Sequence, residues 1–245
     1  MITELMASYG KKILAQRPPD GRRYWAARFW DRDTAEQHQI LGDTFRDQKA
    51  AIETFFDRYA ADVETVGEFA CGTGEFTRMA TDRIDARSIL ALDISPDGLR
   101  IARGRVPEAH VTFLQADFWK TDDIGLFDLV VCVDAIHHLG DLRQVLTRLH
   151  SFVKPGGLFI GNVWTADNYH DFQRKRYGSM RHLVRTAGFL STAVLVRVSG
   201  GRLRTGSYRT QLSTSAETIA ALNDIFADVK DIAVQPYFTG FVCQA

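Results

Sequence analysis

The 245-residue sequence predicts an α/β fold in which helices cover both faces of a mostly parallel sheet. Short apolar runs alternate with helical patterns through the middle of the chain. The helical patterns have typical ends, since Ser95 and Pro96 favour a helix start and "KPGG" at 154–157 favours a helix stop. Hydrophobic residues make up 45% of the chain, which is enough for one large core.

The elements of this core follow in order along the chain. Strands are predicted at 65–70, 88–94, 111–116, 127–133 and 157–164, and helices at 75–84, 96–105 and 141–153. A final helix at 215–226 precedes two more apolar runs, which Pro236 separates. We expect these two runs to form an antiparallel edge of the sheet.

The remaining segments are predicted as additions to a single domain. Residues 1–60 form an N-terminal helical cap, 61–163 the core, 164–212 a lid insertion and 213–245 the last helix and strands. The main helix of the cap is predicted at 33–60, with an apolar stripe that includes Phe45 and Phe55. Asp33 and Glu36 form a capping-box pattern at its start. The Gly-Gly pair at 200–201, between alternating runs, predicts a β-hairpin within the lid.

Composition limits the classes of partner. Lys plus Arg and Asp plus Glu are 30 each, so the chain has no overall field that would recruit nucleic acid or an anionic membrane. The three cysteines and the histidines lack the spacing of a metal site, and none is predicted. The absence of a signal-peptide pattern or a long apolar run makes the cytoplasm the expected compartment.

An acidic residue beside a glycine turn indicates the kind of ligand. Glu68 ends the first strand, and Gly72 and Gly74 form the turn into the first core helix, where α/β sheets bind nucleotides. A dinucleotide fingerprint would place a third glycine at position 77, which is Thr77, and Glu68 would repel a pyrophosphate. A nucleoside with an amino group and a sulfonium fits better. The pattern therefore predicts S-adenosyl-L-methionine as the cofactor.

Two further acids follow the next two strands. Asp93 closes the second strand, where a carboxylate can accept both ribose hydroxyls. Asp117 follows the third strand and offers an acceptor to the adenine amino group, while Phe118 offers an apolar face to its ring. Three acids in this order at strand ends are more specific than a glycine pattern alone.

These motifs resemble the class I S-adenosylmethionine-dependent methyltransferase family. The matching segments are "EFACGTG", "LALDIS", "QADFW", "FDLVVCVDAIHHL" and "FVKPGGLFI". The resemblance implies a Rossmann-like, seven-stranded sheet and methyl transfer. The residues expected at the cofactor are Glu68, Ala70, Gly72, Gly74, Asp93, Ile94, Asp117, Phe118 and Asp134. Ala70 replaces a glycine that is common in the family, and we expect it to fit with an ordinary extended backbone.

Catalytic candidates follow the fourth strand. His137 and His138 lie where the methyl group would point, and histidine titrates near neutral pH, so one of them is a candidate general base. His138 is slightly favoured. Packing is the alternative role of both, and His38 is a further candidate base. Arg46 is expected at the surface, with the cofactor carboxylate as its alternative partner.

Aromatic and basic residues around the core allow two interpretations each. The aromatic residues before the core either close over the site as a lid or cap the sheet; they are Tyr24, Trp25, Phe29 and Trp30. The lid insertion carries nine Arg and Lys residues against two Asp. Arg174, Arg181 and Arg185 recur at helical spacing, so they either attract an anionic acceptor or are solvated.

The sequence leaves three functional classes open. The first is an enzyme that methylates an oxygen or nitrogen of a small molecule. The second is a nucleic-acid or protein methyltransferase recruited by the basic lid, although the fourth strand lacks the Asn-Pro-Pro-Tyr type of run. The third is a binder of S-adenosylmethionine without catalytic activity.

Overall fold

A computed structural model describes residues 2–14, 22–29, 38–200 and 212–245. The helices are α1 (Ile2–Leu14), α2 (Arg22–Ala26), α3 (Gln39–Tyr59), α4 (Glu75–Arg83), α5 (Pro96–Arg105), α6 (Ile136–Leu139), α7 (Leu142–His150), α8 (Tyr169–Tyr177), α9 (Ser179–Val198) and α10 (Ser215–Ile225). The strands are β1 (Thr65–Phe69), β2 (Ser88–Asp93), β3 (Val111–Gln115), β4 (Phe127–Cys132), β5 (Val153–Trp164), β6 (Asp228–Val234) and β7 (Phe238–Gln244).

The seven strands form one sheet in the order β3-β2-β1-β4-β5-β7-β6. β1 to β5 are parallel, and β7 runs antiparallel to both β5 and β6. The predicted Rossmann-like fold and its antiparallel edge are confirmed. In this register Glu68 of β1 lies between Ala91 of β2 and Val131 of β4. The carboxyl ends of these strands therefore meet at one edge of the sheet.

Side chains on the two faces of the sheet form two apolar layers. On one face, Ile52 and Phe56 of α3 pack with Val66 and Ile160. On the other face, Phe69 and Phe159 pack against α7 and α10. Full burial of a large apolar side chain stabilises a fold by roughly 1.5–3 kcal/mol, so these layers fix the sheet beneath the helices.

The three cysteines are free and buried, and they lie in or beside this sheet. Cys71 follows β1, Cys132 ends β4 and Cys243 lies in β7. Burial raises the pKa of each thiol above its ordinary value. These cysteines are packing residues of low reactivity.

The end of α7 differs from the prediction. The helix ends at His150, and β5 begins at Val153, so the "KPGG" segment lies in the first part of the strand. Gly156 has a φ of 75°, and the ammonium group of Lys154 lies 2.8 Å from the Asp128 carboxylate of β4. A positive φ and an ion pair thus lie in the first part of a strand where the sequence pattern indicated a helix stop and a turn.

The N-terminal cap is confirmed in part. Of the predicted helix at 33–60, α3 is described from Gln39, and Phe45 and Phe55 of its apolar stripe are buried. The capping-box pattern of Asp33 and Glu36 lies outside the described residues, as does Trp30. Within the described ranges, every helix is too short or too polar to cross a bilayer.

The described part of the lid insertion contains two helices, and the second of them includes residues 193–198, where the first half of a β-hairpin was predicted. The run "AVLVRV" at 193–198 forms the last turns of α9, and residues 201–211 lie outside the described ranges. The wrong prediction has a physical cause. Apolar side chains lie on both the buried and the exposed side of α9, so the pattern of apolar residues resembles that of a strand.

The three lid arginines do not share one helix face as predicted. Gly178, with a φ of 80°, separates α8 from α9. Arg174 of α8 pairs with Glu4 of α1 at 2.8 Å, whereas Arg181 and Arg185 of α9 are exposed.

Candidate active site

The turn between β1 and α4 combines two glycines with different roles. Gly74 has a φ of 76°, and a Cβ atom at this position would lie 2.9 Å from the Cβ of Ala102 on α5. Gly74 is therefore required for packing. Gly72 has a φ of 55°, and no described atom lies within 4 Å of the position that a Cβ would occupy. The backbone at Gly72 is thus open to the approach of a ligand.

Ala70 corrects one expectation. Its φ is 60°, which is the left-handed conformation and not the extended backbone predicted from the sequence. Glycine tolerates this conformation readily, whereas an L-residue with a Cβ is strained. Glycine is common at this position in the family because it adopts this conformation without strain. Ala70 forms the same turn at an energetic cost.

Glu68 is buried beneath the start of α4. Its side chain is 4% exposed and accepts a hydrogen bond from the hydroxyl of Thr77, which is fully buried. Burial is the main cause that raises the pKa of Glu68 to about 7, with a further contribution from the charge of Asp93. Thr77 occupies the position of the third glycine in a dinucleotide fingerprint. Its hydroxyl donates a hydrogen bond to the Glu68 carboxyl, an acid that the fingerprint does not contain.

Asp93 connects the end of β2 to the glycine turn. Its two carboxylate oxygens accept one hydrogen bond each, from the N–H of Gly72 at 2.8 Å and from the N–H of Ser95 at 2.8 Å. Burial raises its pKa, and the backbone donors oppose this shift. A carboxylate has about four lone-pair sites, so acceptor capacity remains for a ligand. Ile94 follows directly and is half-buried.

The two residues predicted at the adenine ring differ in access. Asp117 accepts a hydrogen bond from the N–H of Trp119 at 3.0 Å and is half-buried. Phe118 is 4% exposed, because its ring packs against Phe69 and Trp119 and beneath the guanidinium of Arg148. Phe118 therefore contributes mainly to the core, and little of its ring is accessible to a ligand.

Asp134 is held by side chains from two other elements. Its backbone N–H donates to Oδ1 of Asn162 at 2.6 Å, and its φ is 61°. Its carboxylate accepts from Nε2 of Gln48 on α3 at 3.4 Å and from Nε1 of Trp164 at the end of β5. These contacts hold the carboxylate between α3 and the end of β5.

Two amide atoms in this group have unmet hydrogen-bonding capacity. Gln48 and Asn162 are fully buried, and Oε1 of Gln48 and Nδ2 of Asn162 have no hydrogen-bond partner among the described residues. Buried polar groups are almost always paired. One acceptor and one donor thus remain beside Asp134, on the side of the site that faces β5.

The two candidate bases have different environments. His137 is 6% exposed, and its Nδ1 lies 3.5 Å from the backbone N–H of Trp164, a long contact in which the ring nitrogen accepts. Burial lowers the pKa of His137 to about 3. His138 is half-buried against the His137 ring, and burial also lowers its pKa well below the ordinary value. Both rings are therefore weak bases at neutral pH.

The N-terminal aromatic residues lie over this edge of the sheet. The ring of Trp25 on α2 is 4.8 Å from the ring of His138. Further along, a Cβ on Gly98 at the start of α5 would be 3.4 Å from the Cβ of Phe29. Tyr24 contacts Trp25 edge-on. The segment 22–29 thus extends from α6 to α5, which favours the lid interpretation over a cap on the sheet.

The other two candidates lie elsewhere. His38 precedes α3, and its Nε2 lies 2.9 Å from the carbonyl of Arg176 on α8. It is ten residues from Gln48, or roughly 15 Å along the helix axis. Arg46 is exposed and pairs with Asp43. The cations beside the glycine turn are instead Lys49 and Arg105, which both pair with Glu75 of α4.

Sequence reasoning missed Gln48, Asn162 and Trp164. They come from α3 and β5, and no local spacing relates them to Asp134. The one usable signal was polar residues at core positions: Gln48 lies on the apolar stripe of α3, and Asn162 in an apolar strand. Among the described residues, no group of three or more His, Cys, Asp or Glu is arranged for a metal ion.

Comparison with known proteins identifies the domain. Residues 66–157 match the model of a family described as a methyltransferase domain. A malonyl-[acyl-carrier protein] O-methyltransferase of Paenibacillus sp. is 29% identical over 143 residues, which cover 54% of this chain and 52% of the relative. An uncharacterized methyltransferase of Mycobacterium bovis is 35% identical over 96 residues, covering 38% of this chain and 47% of that protein. The chain spans about half the length of the curated relatives it matches.

Solved structures share the fold. The N-methyltransferase NodS of Bradyrhizobium japonicum, in complex with S-adenosyl-L-homocysteine, superposes with a TM-score of 0.56 at 14% identity and covers 82% of this chain and 87% of that one. The magnesium protoporphyrin IX methyltransferase of Synechocystis, with bound S-adenosylmethionine, gives 0.55 at 13% identity, with 85% and 83% covered. The matched segment and the sheet agree: residues 66–157 match a methyltransferase domain, and the chain shares the fold of S-adenosylmethionine-dependent methyltransferases.

Proposed function

We propose that the protein transfers a methyl group from S-adenosyl-L-methionine to an oxygen or nitrogen of a small molecule. The observation that carries this proposal is the link between Asp93 and Gly72. A strand-end carboxylate with spare acceptor capacity lies beside a backbone that is open on its Cβ side. This arrangement fits a ribose next to a closely approaching nucleoside.

The residues divide into two groups across the sheet edge. Gly72, Asp93, Ile94 and Asp117 would hold the cofactor over β1 to β3, with Glu68 and Ala70 shaping the turn beneath it. When bound, the cofactor supplies a methyl group activated by a sulfonium. Gln48, Asp134, Asn162 and His138 face the β4 and β5 side and would contact the acceptor. The α2 segment would exclude water from both halves.

An acceptor that is already deprotonated fits this site best. His137 and His138 are weak bases because burial lowers the pKa of each. A carboxylate oxygen needs no base, so that alignment and exclusion of water can supply much of the catalysis. The Paenibacillus relative is a malonyl-[acyl-carrier protein] O-methyltransferase, which also supports an oxygen acceptor.

Calorimetry tests cofactor binding without a known acceptor. We expect S-adenosylmethionine and S-adenosylhomocysteine to bind and NAD to bind poorly. Asp93→Ala should weaken binding by about 1–3 kcal/mol, because a charged acceptor is lost. Asp97→Asn, at an exposed acid just after the same strand, is the matched control and should bind as the wild type does.

Two results would contradict the proposal. NAD binding more tightly than the methyl donor would overturn the cofactor assignment, and unchanged affinity in a folded Asp93→Ala variant would remove Asp93 from the site. Methyl transfer itself is tested with radiolabelled S-adenosylmethionine and a panel of small carboxylic acids, phenols and amines. Transfer to nucleic acid or protein substrates but to none of these would refute the small-molecule assignment.

A further inference from the structure

Helix α9 carries a second apolar face that no described residue covers. Its apolar side chains lie in two groups on one face, at 180–187 and at 194–198, with Ser191 between them, and Met180, Val184 and Val198 are 72%, 64% and 81% exposed. The complete stripe consists of Met180, Leu183, Val184, Ala187, Val194, Leu195 and Val198. Exposed apolar residues are normal when single, but a stripe along a whole helix indicates a binding surface.

The stripe is distinct from the side of α9 that packs against the protein. His182, Thr186 and Ala193 are buried on that side. Gly10 of α1 packs there against Phe189, since a Cβ on Gly10 would lie 2.4 Å from the Phe189 ring. On a helical projection the stripe faces away from these residues. The folding of the lid therefore accounts for one apolar face of α9 and leaves the other unexplained.

Positive charge borders the stripe on both sides. Arg181 and Arg185 follow one edge, Arg197 lies at the other edge, and all three are exposed. Helix α9 contains no Asp or Glu, and residues 201–211 add three arginines and no acid. The total charge of the chain is zero, which argued against an anionic membrane. This total does not reveal the concentration of positive charge on and after α9.

The charge pattern selects one occupant. A second copy of the chain is disfavoured, because its α9 would bring further arginines and no acid of that helix to the interface. A convex apolar stripe with arginines along its borders suits a lipid surface instead. There the apolar side chains enter the acyl boundary, and the guanidinium groups reach the phosphates.

We propose that α9 binds an anionic lipid surface, with its apolar stripe inserted between the headgroups and Arg181, Arg185 and Arg197 at the level of the phosphates. This site is peripheral to the sheet edge, and it does not depend on the proposed methyl transfer. It would place the protein beside acceptors that reside in, or are delivered at, a membrane surface.

Vesicle sedimentation of the full chain tests this proposal. We expect the protein to sediment with vesicles of phosphatidylcholine and phosphatidylglycerol in equal parts, to bind pure phosphatidylcholine at least tenfold more weakly, and to be released by salt. Val184→Glu and the double variant Arg181→Gln/Arg185→Gln should each reduce binding roughly tenfold. Val234→Glu, at an exposed valine of β6, is the matched control and should bind as the wild type does.

Circular dichroism and calorimetry with S-adenosylhomocysteine establish that each variant is folded, so lost vesicle binding can be assigned to the surface. Four results would overturn the proposal. The first two are failure of the wild type to sediment with anionic vesicles and normal vesicle binding by Val184→Glu. The third is a wild-type dimer in light scattering that Val184→Glu dissociates, which would make the stripe an interface between copies. The fourth is equal binding of the folded wild type and the folded Val184→Glu variant to polyglutamate without vesicle binding, which would indicate an acidic protein partner.

Discussion

Residue 70 has a backbone conformation that its side chain disfavours. Ala70 has a φ of 60°, and the left-handed region costs an L-residue roughly 1–2 kcal/mol. Its methyl group still packs at the edge of the apolar layer beside α7. The turn is therefore retained by the surrounding contacts, and the strain at Ala70 remains in the folded state.

Ala70→Gly should raise the free energy of unfolding by about 1 kcal/mol, because glycine adopts a positive φ without strain. Urea denaturation measures the change. Ala135→Gly is the control: Ala135 has a φ of −128°, so the same replacement should lower stability there. A loss of stability in Ala70→Gly would show that the methyl contacts outweigh the backbone strain.

Glu68 gives stability a defined pH dependence. Its pKa is about 7 in the folded state against an ordinary 4.5, so the folded protein retains a proton that the unfolded chain loses between these values. Stability from this group is fully present below pH 4.5 and decreases as pH rises to about 7. The buried histidines act in the opposite direction, since their lowered pKa values favour folding as pH rises.

Comparison with Glu68→Gln isolates the contribution of Glu68. The wild type should lose roughly 3 kcal/mol relative to this variant between pH 4.5 and 7, at about 1.4 kcal/mol per pKa unit. Gln keeps a polar partner for Thr77 but does not titrate. Urea denaturation at several pH values measures the difference, and a difference that stays constant with pH would mean that Glu68 is ionised throughout.

At the scale of elements, the α2 segment lies over the candidate site. Trp25 contacts His138, and Phe29 lies beside the start of α5, so the segment covers both ends of the candidate site. A lid of this kind has few buried contacts of its own, and such elements open at low free-energy cost. If the cofactor binds at this site, we expect its exchange to require movement of α2.

Trp25→Ala should accelerate dissociation of S-adenosylhomocysteine about tenfold, because loss of the contact with His138 weakens closure by about 1.4 kcal/mol. Stopped-flow displacement measures the rate. Tyr9→Ala, at an exposed tyrosine of α1, provides the control for loss of an aromatic side chain. An unchanged dissociation rate in Trp25→Ala would assign α2 to packing alone.

Local signals explain which elements the sequence predicted well. The predicted helices at 75–84 and 96–105 match α4 and α5 within one residue, because glycine, Ser95 and Pro96 define their starts. The strand prediction at 193–198 was wrong, because apolar residues on both faces of α9 hide the helical period. The conformation of Ala70 has no signature in an alanine, and the contacts of Asp134 with Gln48 and Asn162 exist only after the fold has formed.

At the scale of the whole molecule, the proposed function would divide cofactor binding and acceptor binding along one sheet edge. The strand order places the ends of β1, β2 and β3 on one side of the switch point and those of β4 and β5 on the other. The N-terminal cap contributes Gln48 and Trp25 to the β4 and β5 side, and the lid insertion follows β5 directly. The core could thus keep its cofactor residues while the surrounding segments change the acceptor.

The three buried thiols allow the opening rates of different parts of the molecule to be measured. A thiol reagent can attack only after its target is exposed, so each modification rate reports how often that region opens. Cys71 reports the glycine turn, whereas Cys132 and Cys243 report the centre of the sheet. Mass spectrometry of labelled peptides should find Cys71 modified first and protected by S-adenosylhomocysteine, with the other two reacting at the rate of global unfolding. Equal rates at all three sites would mean that the turn opens only when the whole sheet does.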